Sequence, residues 1–433
     1  MEILEKLFSI VQQGAGASID TRTLQAGNVF FALPGNRVDG HQFVEQALKK
    51  GAGAAVVSRS EFVLDDRCFQ VDDVLTAMQD LARHYRQTLN PAVIAITGSN
   101  GKTTNKNLLK AVFQKKYKTH ATSGNYNNHI GVPLTILNAG TDTEFLIVEM
   151  GTNHFGEIDH LCQIAEPRFG SILNIGKSHL EFLGSEKGVR KAKAEMADYL
   201  SLNDGVLFIN KEEQSIHSLE EHTVRQFVFD RNHLPGNVDR KVKVEKETPF
   251  IQLKIIEKKN EWRVKSSLWG EHNVRNLIHA IGIGLYFDVP IEDVVAALED
   301  FSPEDNRSQI LDVDGFQIYL DAYNANPTSM HAAILAFSKI HPEGAVVLGD
   351  MGELGEGELE EHEDIIETIL SSPFRKRILI GSLFTRAGMG KAGLKCFPDT
   401  RSAQKEFDAL RTDPSVRAVL IKGSRSMRLE QLL

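Results

Sequence analysis

Eight consecutive residues concentrate chemistry in this chain: Thr97-Gly98-Ser99-Asn100-Gly101-Lys102-Thr103-Thr104. They follow the apolar run Ala92-Val93-Ile94-Ala95-Ile96 and precede a segment with helical spacing. A strand, a glycine-rich turn and a helix start turn backbone N–H groups and the positive end of a helix dipole toward one point, which suits a phosphate. Lysine adds a point charge, and the hydroxyl after it can ligate Mg2+. The expected chemistry is the handling of a nucleoside triphosphate, ATP above all. The spacing is unusual for such a loop, because only Ser99 and Asn100 separate Gly98 from Gly101 where four residues are common. Gly14-Ala15-Gly16 and Gly282-Ile283-Gly284 each lack the third glycine of a dinucleotide loop, which disfavours a nicotinamide dehydrogenase.

Other residues could serve such a site. Glu149 closes the apolar run Phe145-Leu146-Ile147-Val148, and strand carboxyl ends face the ligand crevice in open α/β sheets. A carboxylate there can hold Mg2+. His179 follows another β-rich run ending in Gly176 and could bind metal or phosphate. Lys193, in Lys191-Ala192-Lys193-Ala194-Glu195-Met196, reads by itself as a solvated lysine on a charged helix. Gly124-Asn125-Tyr126-Asn127-Asn128 reads as a polar loop whose amides offer both donors and acceptors. Asn324 and Asn326 precede Pro327 and suit a turn.

The elements that must position these residues follow from hydrophobic periodicity. In the first part, helical spacing over Leu4 to Val11, His41 to Lys50 and Asp72 to Thr88 alternates with strands at Asn28 to Leu33 and Ala54 to Val57. Asn90-Pro91 ends this part. Next come β-rich runs at Ile94 to Thr97, Phe145 to Glu149, Ser171 to Ile175 and Val206 to Asn210. An antiparallel excursion covers Val242 to Leu268, turning near Lys259-Asn260, and helices cover Asn273 to Phe287 and Ile291 to Leu298. Pro303-Glu304-Asp305-Asn306 marks a second boundary. Strands at Gly315 to Leu320, Ala345 to Leu348, Arg377 to Ile380 and Ala418 to Ile421 follow, with helices between. The acidic stretch Glu353 to Asp364 reads as a solvated helix face. The expectation is α/β throughout, in three domains: a small N-terminal α/β domain (1–88), a central phosphate-loop domain with a doubly wound, mostly parallel sheet (89–302) and a C-terminal Rossmann-like α/β domain (303–433).

Composition narrows the partners. A net charge of −9 over 433 residues gives no basic face for nucleic acid. The local basic stretch Lys187 to Lys193 could still meet a small anion. Cys68, Cys162 and Cys396 form no Cys-x-x-Cys pair, which argues for free thiols rather than disulfides or zinc. No apolar run reaches the ~20 residues of a membrane span. Met1-Glu2-Ile3-Leu4-Glu5-Lys6 lacks the layout of a secretory signal. A cytoplasmic protein is expected.

In combination the motifs resemble the Mur ligases, ATP-dependent amino-acid and peptide ligases of peptidoglycan synthesis. The resemblance rests on the phosphate loop in its short form, Glu149, Asn174-Ile175-Gly176-Lys177-Ser178-His179-Leu180-Glu181 and Gly270-Glu271-His272-Asn273-Val274-Arg275-Asn276. It implies that Gly98, Ser99, Asn100, Gly101, Lys102, Thr103 and Thr104 hold the phosphates. His272 and Asn276 would lie on the adenine side, Arg307 would reach phosphate from the hinge, and Asp321 would approach the nucleotide. Thr103, Glu149, His179 and a carbamylated Lys193 would surround Mg2+. A carbamylated lysine ends in a carboxylate-like group, the oxygen donor type that Mg2+ prefers.

The last domain carries Asp321-Ala322-Tyr323-Asn324-Ala325-Asn326-Pro327, Leu348-Gly349-Asp350-Met351-Gly352-Glu353-Leu354-Gly355 and Lys422-Gly423-Ser424-Arg425. With Met150-Gly151-Thr152-Asn153-His154, these resemble the branch of the family that joins D-alanyl-D-alanine to UDP-N-acetylmuramoyl-tripeptide. No Asp-Asn-Pro-Arg signature of the diaminopimelate-adding branch is present. The resemblance then implies substrate contacts at Thr21, Arg22, Asp39, Asn125, Asn127, Asn128, Asn153, His154, Tyr323, Asn324, Asn326, Lys422, Ser424 and Arg425, and a monomer. The rival expectations are another amide ligase of the superfamily, such as a folylpolyglutamate synthase, and an ATP-switched binding protein.

Overall fold

A computed structural model of the chain describes residues 2–35, 38–221, 224–236 and 238–433. Apolar runs too short for helices become strands, and longer amphipathic segments become the helices that cover them. The first sheet is parallel and runs β1 (Ala17–Ser18), β2 (Val29–Phe31), β3 (Ala54–Val57), β4 (Cys68–Gln70). The central sheet is parallel too. Its strands are β5 (Ala92–Thr97), β6 (Thr119–Ala121), β7 (Phe145–Glu149), β8 (Phe169–Ile172), β9 (Val206–Asn210) and β10 (Arg225–Phe229), in the order β10-β9-β8-β5-β7-β6. A small antiparallel sheet follows, of β11 (Arg240–Lys246), β12 (Gln252–Glu257) and β13 (Asn260–Lys265). The last sheet holds β14 (Gln309–Val313), β15 (Phe316–Asp321), β16 (Ala345–Gly349), β17 (Lys376–Ile380), β18 (Lys395–Phe397) and β19 (Ala418–Lys422), in the order β14-β15-β19-β16-β17-β18. Only β14 runs antiparallel to its neighbour.

The chain is thus mixed α/β with parallel sheets, as expected, with some differences in detail. Strands β1, β4, β6, β10, β14 and β18 were not anticipated, and each lies at the edge of its sheet. Strand β8 stops at Ile172 rather than at Ile175, because Leu173 and Asn174 turn to bond the phosphate loop. Glu353 and Glu361, expected on a solvated face, instead contact the central part of the chain: Glu353 meets His179 and Glu361 meets Lys177.

The sheet order fixes where a ligand can sit. From β5 the chain moves to one side for β6 and β7, then crosses to the other for β8, β9 and β10. Such a reversal opens a crevice at the strand carboxyl ends. Strands β5, β7, β8 and β9 end there at Thr97, Glu149, Ile172 and Asn210. Strands β15 and β19 of the last sheet, ending at Asp321 and Lys422, supply side chains to the same crevice.

The first sheet docks differently. One apolar cluster runs from Leu7, Val74, Met78 and Tyr85 into Val93, Val132, Leu161 and Ile164 without interruption. The helix Val74–Leu89 starts at an Asp73 cap and stops at left-handed Asn90. Its Tyr85 hydroxyl donates to the Ala139 carbonyl at 2.9 Å. Arg83, Arg86 and Gln87, also on this helix, converge on Glu166. Arg86 is buried, so its charge is compensated mainly by that carboxylate. No helix among the described residues is long and apolar enough to cross a membrane.

Replacing Glu166 with alanine should therefore lower unfolding free energy by about 2–3 kcal/mol, since it strands the Arg86 guanidinium in an apolar setting. Denaturant unfolding monitored by circular dichroism checks this, and loss of under about 0.5 kcal/mol would show the cluster to be solvated.

Candidate active site

A cleft of about 1030 Å³ lies where these strand ends meet. Pockets of 300–1,000 Å³ suit small molecules, so the cleft has room for a nucleotide together with part of a second ligand. It is lined by the phosphate loop, Glu149, His179, the helix start at His272 to Asn276, Arg307, Asp321, Tyr323 and Asn326.

The loop is shaped by backbone constraint. Gly101 sits at φ +80, where a Cβ would be strained and would meet the Asn276 amide oxygen at 3.1 Å. The Ser99 amide donates to the Asn174 carbonyl, and the Asn100 amide donates to the Asn174 side chain at 2.8 Å. Asn174 returns a bond to the Asn100 carbonyl at 3.0 Å. Two loop amides are thereby committed to protein. The amides of Gly101, Lys102, Thr103 and Thr104, at the start of helix Lys102–Gln114, have no intrahelical acceptor and remain for an anion. Asn174 lay inside a recognised motif, but its clamp on the loop depends on the fold and has no local signal.

The electrostatics favour an anion as well. Lys102 donates to the Gly98 carbonyl at 2.7 Å, and burial lowers its pKa against the pull of Glu149. Lys193, on helix Glu186–Leu202, is 1% exposed. This excludes the solvated lysine that its local sequence suggests. Burial drives its pKa well below the ordinary lysine range, and nearby Lys102 adds to the effect. Glu149 is 2% exposed; one carboxylate oxygen accepts from Asn127 at 2.9 Å, while the other is buried without a partner. That orphan oxygen fits a bound cation. Among the described residues no three His, Cys, Asp or Glu side chains form a ready metal cage.

Behind the start of helix Lys102–Gln114 runs a chain of amides. Asn105 donates to Asn276 at 2.7 Å, Asn276 to Asn273 at 2.8 Å, and Asn273 to the Trp269 carbonyl at 2.9 Å and Ser308 Oγ at 3.2 Å. Asp305, Asn306 and Ser308 all have left-handed backbones, between φ +49 and +57, and they flank Arg307. The Arg307 guanidinium stacks 3.5 Å over the Tyr323 ring, and its buried Nε has no partner. Asp321 is engaged by Lys422 and by the Ser308 amide. Burial alone would raise the Asp321 pKa, but Lys422 and its hydrogen bonds hold it low. Asn326 Nδ2 donates to Asn100 Oδ1 at 2.8 Å and ties the last sheet to the loop.

The expected site residues divide accordingly. Ser99, Asn100, Gly101, Lys102, Thr103, Thr104, Asn125, Asn127, Asn128, Glu149, Asn153, His179, His272, Asn276, Arg307, Asp321, Tyr323, Asn324, Asn326 and Lys422 line one cleft. Gly98 does not line it but accepts from Lys102, and Lys193 is buried close enough to feel the charge of Lys102. Thr21, Arg22, Asp39, His154, Ser424 and Arg425 do not line it. Thr21 bonds Gln46, Arg22 pairs with Asp20, and Asp39 holds His41 and Arg59. His154 pairs with Glu157, and Arg425 with Glu430. Leu75 and Gln79 of the first domain, together with Thr328, reach the cleft unannounced by any motif.

Comparison with known proteins places the chain in a family. Residues 15–86, 96–284 and 306–425 match three family descriptions: "Mur ligase family, catalytic domain", "Mur ligase middle domain" and "Mur ligase, glutamate ligase domain". The UDP-N-acetylmuramoyl-tripeptide–D-alanyl-D-alanine ligase of Bacillus subtilis (strain 168) is 37% identical over 432 residues, covering 96% of this chain and 92% of that protein. The chain belongs to the Mur ligase family. A crystal structure of MurF from Acinetobacter baumannii superposes with a TM-score of 0.84 at 29% identity, covering 98% of this chain and 97% of that one. The Thermotoga maritima MurF ligase in complex with ADP gives 0.82 at 25% identity, covering 98% and 96%.

Two cleft histidines should make the fold of this Mur ligase acid-sensitive. Burial pushes His272 down to about 4 and His279, whose Nε2 lies 2.6 Å from Ser171 Oγ, down to about 3. Both take a proton near 6.5 when unfolded. Between those values the unfolded chain binds more protons at these two sites, so their contribution to stability is full above about pH 6.5 and is lost as pH drops toward 3. His279→Gln should flatten that slope, as read from urea midpoints across the same pH range; an unchanged slope would remove His279 as a cause.

Proposed function

We propose that this chain joins D-alanyl-D-alanine to UDP-N-acetylmuramoyl-tripeptide with hydrolysis of ATP to ADP and phosphate. The observation that carries this reading is the cleft itself, in which a phosphate loop, an orphaned carboxylate oxygen and a polar wall from the last sheet face one another. The names of the relatives support the choice of substrates, and the geometry of the cleft supports the division of labour proposed below.

The amides of Gly101 to Thr104 hold the β- and γ-phosphates, joined by the ammonium of Lys102 once it leaves the Gly98 carbonyl and by Arg307 from the hinge. The tripeptide carboxylate takes the γ-phosphoryl group and becomes an acyl phosphate. The dipeptide amine then attacks the carbonyl carbon; the C–N bond forms, the amine gives up a proton, and phosphate departs with the C–O electron pair. The protein acts by positioning the reactants and offsetting developing charge. Thr103, Glu149, His179 and carbamylated Lys193 would hold Mg2+, which when bound neutralises phosphate charge. Buried Lys193 suits that modification. Its neutral amine can add to CO2, forming an N–C bond with loss of one proton. The wall of Tyr323, Asn324 and Asn326 faces the phosphate loop and is where we place the dipeptide, and Asn125, Asn127, Asn128 and Asn153 border the tripeptide end.

Incubation with ATP, Mg2+, UDP-N-acetylmuramoyl-tripeptide and D-alanyl-D-alanine should yield the pentapeptide product by mass. ATP hydrolysis without a joined product would favour the ATP-switched reading, and ligation only of other amines would favour another superfamily ligase. Lys102→Ala should cut turnover at least about 10²-fold, the scale for removing one donor to developing charge. Lys193→Ala should be strongly impaired and partly restored by added short carboxylates; a wild-type rate would refute carbamylation.

A further inference from the structure

A carboxylate of the last domain reaches a residue read above as a metal ligand. His179 Nδ1 lies 2.6 Å from Glu353 Oε2. This is an ion-pair distance, and no other group bonds the buried Nδ1. The backbone is held for the contact from both sides. His179 has φ +52 and Glu353 has φ +61, and neither is glycine. Left-handed residues of this kind carry a conformational cost and persist where surrounding structure over-determines them. Here the surroundings are specific: the Glu181 amide donates to the Glu353 carbonyl at 3.1 Å, and Gly355, at φ +63, packs against the Glu181 backbone. The Glu353 segment is therefore docked by its main chain, and its side chain is delivered to the imidazole.

A gap of 2.6 Å leaves no room for a metal ion between the two atoms, since ligand bonds to Mg2+ are about 2.0–2.1 Å each. Two arrangements remain. The metal takes Nε2 while Glu353 holds Nδ1–H, or the metal takes Nδ1 and Glu353 is expelled. Metal-bound histidines almost always give their other ring N–H to a carboxylate or carbonyl, which fixes the tautomer and orients the ring. We propose that Glu353 is a positioning residue that holds Nδ1–H of His179 and leaves Nε2 for the metal, so that docking of the last domain completes the metal site. Coupling of this kind is reciprocal: closure strengthens metal binding, and bound metal strengthens closure. This rests on the reading of His179 as a ligand.

The test uses the full chain with ADP and Mn2+ as the metal probe, following Mn2+ affinity by electron paramagnetic resonance and directly bound histidine by nitrogen hyperfine coupling. The wild type should show the nitrogen signature. Glu353→Gln should weaken Mn2+ binding about 10–100-fold, the range for losing an outer-shell partner, and diminish that signature. Glu353→Asp should recover part of both. Glu361→Gln is the control. It breaks a second ion pair between these domains, Lys177 to Glu361 at 2.5 Å, without touching His179. An equal loss in Glu361→Gln would mean that Glu353 only helps to close the domains, and this would overturn the proposal. Unchanged or tighter Mn2+ binding in Glu353→Gln would also overturn it, because Glu353 would then be idle or a competitor. His179→Ala separates the layers: if it leaves affinity and the nitrogen signal intact, His179 is no ligand and the underlying reading fails with the proposal.

Discussion

Everything about the cleft follows from burying cationic side chains close together. Burial lowers the pKa of Lys102 and of Lys193, Lys102 adds to the depression of Lys193, and Lys106, one helical turn beyond Lys102, is buried as well. Glu149 opposes the depression of Lys102 and Lys106 from the end of β7, with one oxygen already held by Asn127. A buried charge is tolerated when a partner or ligand completes it. Such a cluster is poised for a polyanion and a divalent cation arriving together, since each supplies what the other lacks. The fold makes this affordable by placing the lysines at or below a helix start, where amide dipoles favour the incoming anion.

The same economy explains the committed amides. A loop that offered every N–H to phosphate would need another source of rigidity. Asn174 takes the amides of Ser99 and Asn100 and returns a bond, so the loop is rigid before any ligand binds. Ser99 Oγ adds a second tie, donating to the Gly176 carbonyl and accepting from the Gly176 amide and the Ser178 hydroxyl. The free donors then stand in one fixed arc. Preorganisation of this sort lets donors stabilise charge without reorganising when it develops.

Legibility in the sequence tracked burial and locality. Interior strands β2, β3, β5, β7, β9, β15, β16, β17 and β19 announce themselves because both faces are covered and the residues are almost all apolar. The unanticipated strands are all sheet edges, where one side carries no partner and polar residues intrude, as in Arg225–Phe229 and Gln309–Val313. The phosphate loop was readable because its chemistry is contiguous. Lys193 was misleading by itself: charged neighbours at Lys191 and Glu195 suggest a wet helix, yet the i+3 and i+4 stripe of Val189, Ala192, Met196 and Ala197 turns that face inward. The Asn174 clamp and the Glu353 contact were illegible because each joins residues far apart in sequence through one docking event.

The two outer domains meet the central one in opposite ways, and the contrast bears on which of them moves. The first shares a continuous apolar core with the central sheet, so separating them would expose Met78, Tyr85, Val93 and Leu161 to water. The last is joined near the cleft by discrete polar contacts: Asn326 to Asn100, Thr328 to the Lys177 amide, Lys177 to Glu361 and His179 to Glu353. Polar contacts can be exchanged for water at modest net cost, whereas apolar area cannot. Its apolar anchor is Trp269, which packs on Tyr319 and donates to the Ser308 carbonyl beside the left-handed turn that carries Arg307. The last domain is thus held to the central one by a buried apolar contact at Trp269 on one side and by exchangeable polar contacts at the cleft on the other, so the placement of Asn326 and Glu353 at the phosphate end depends on contacts for which water can compete.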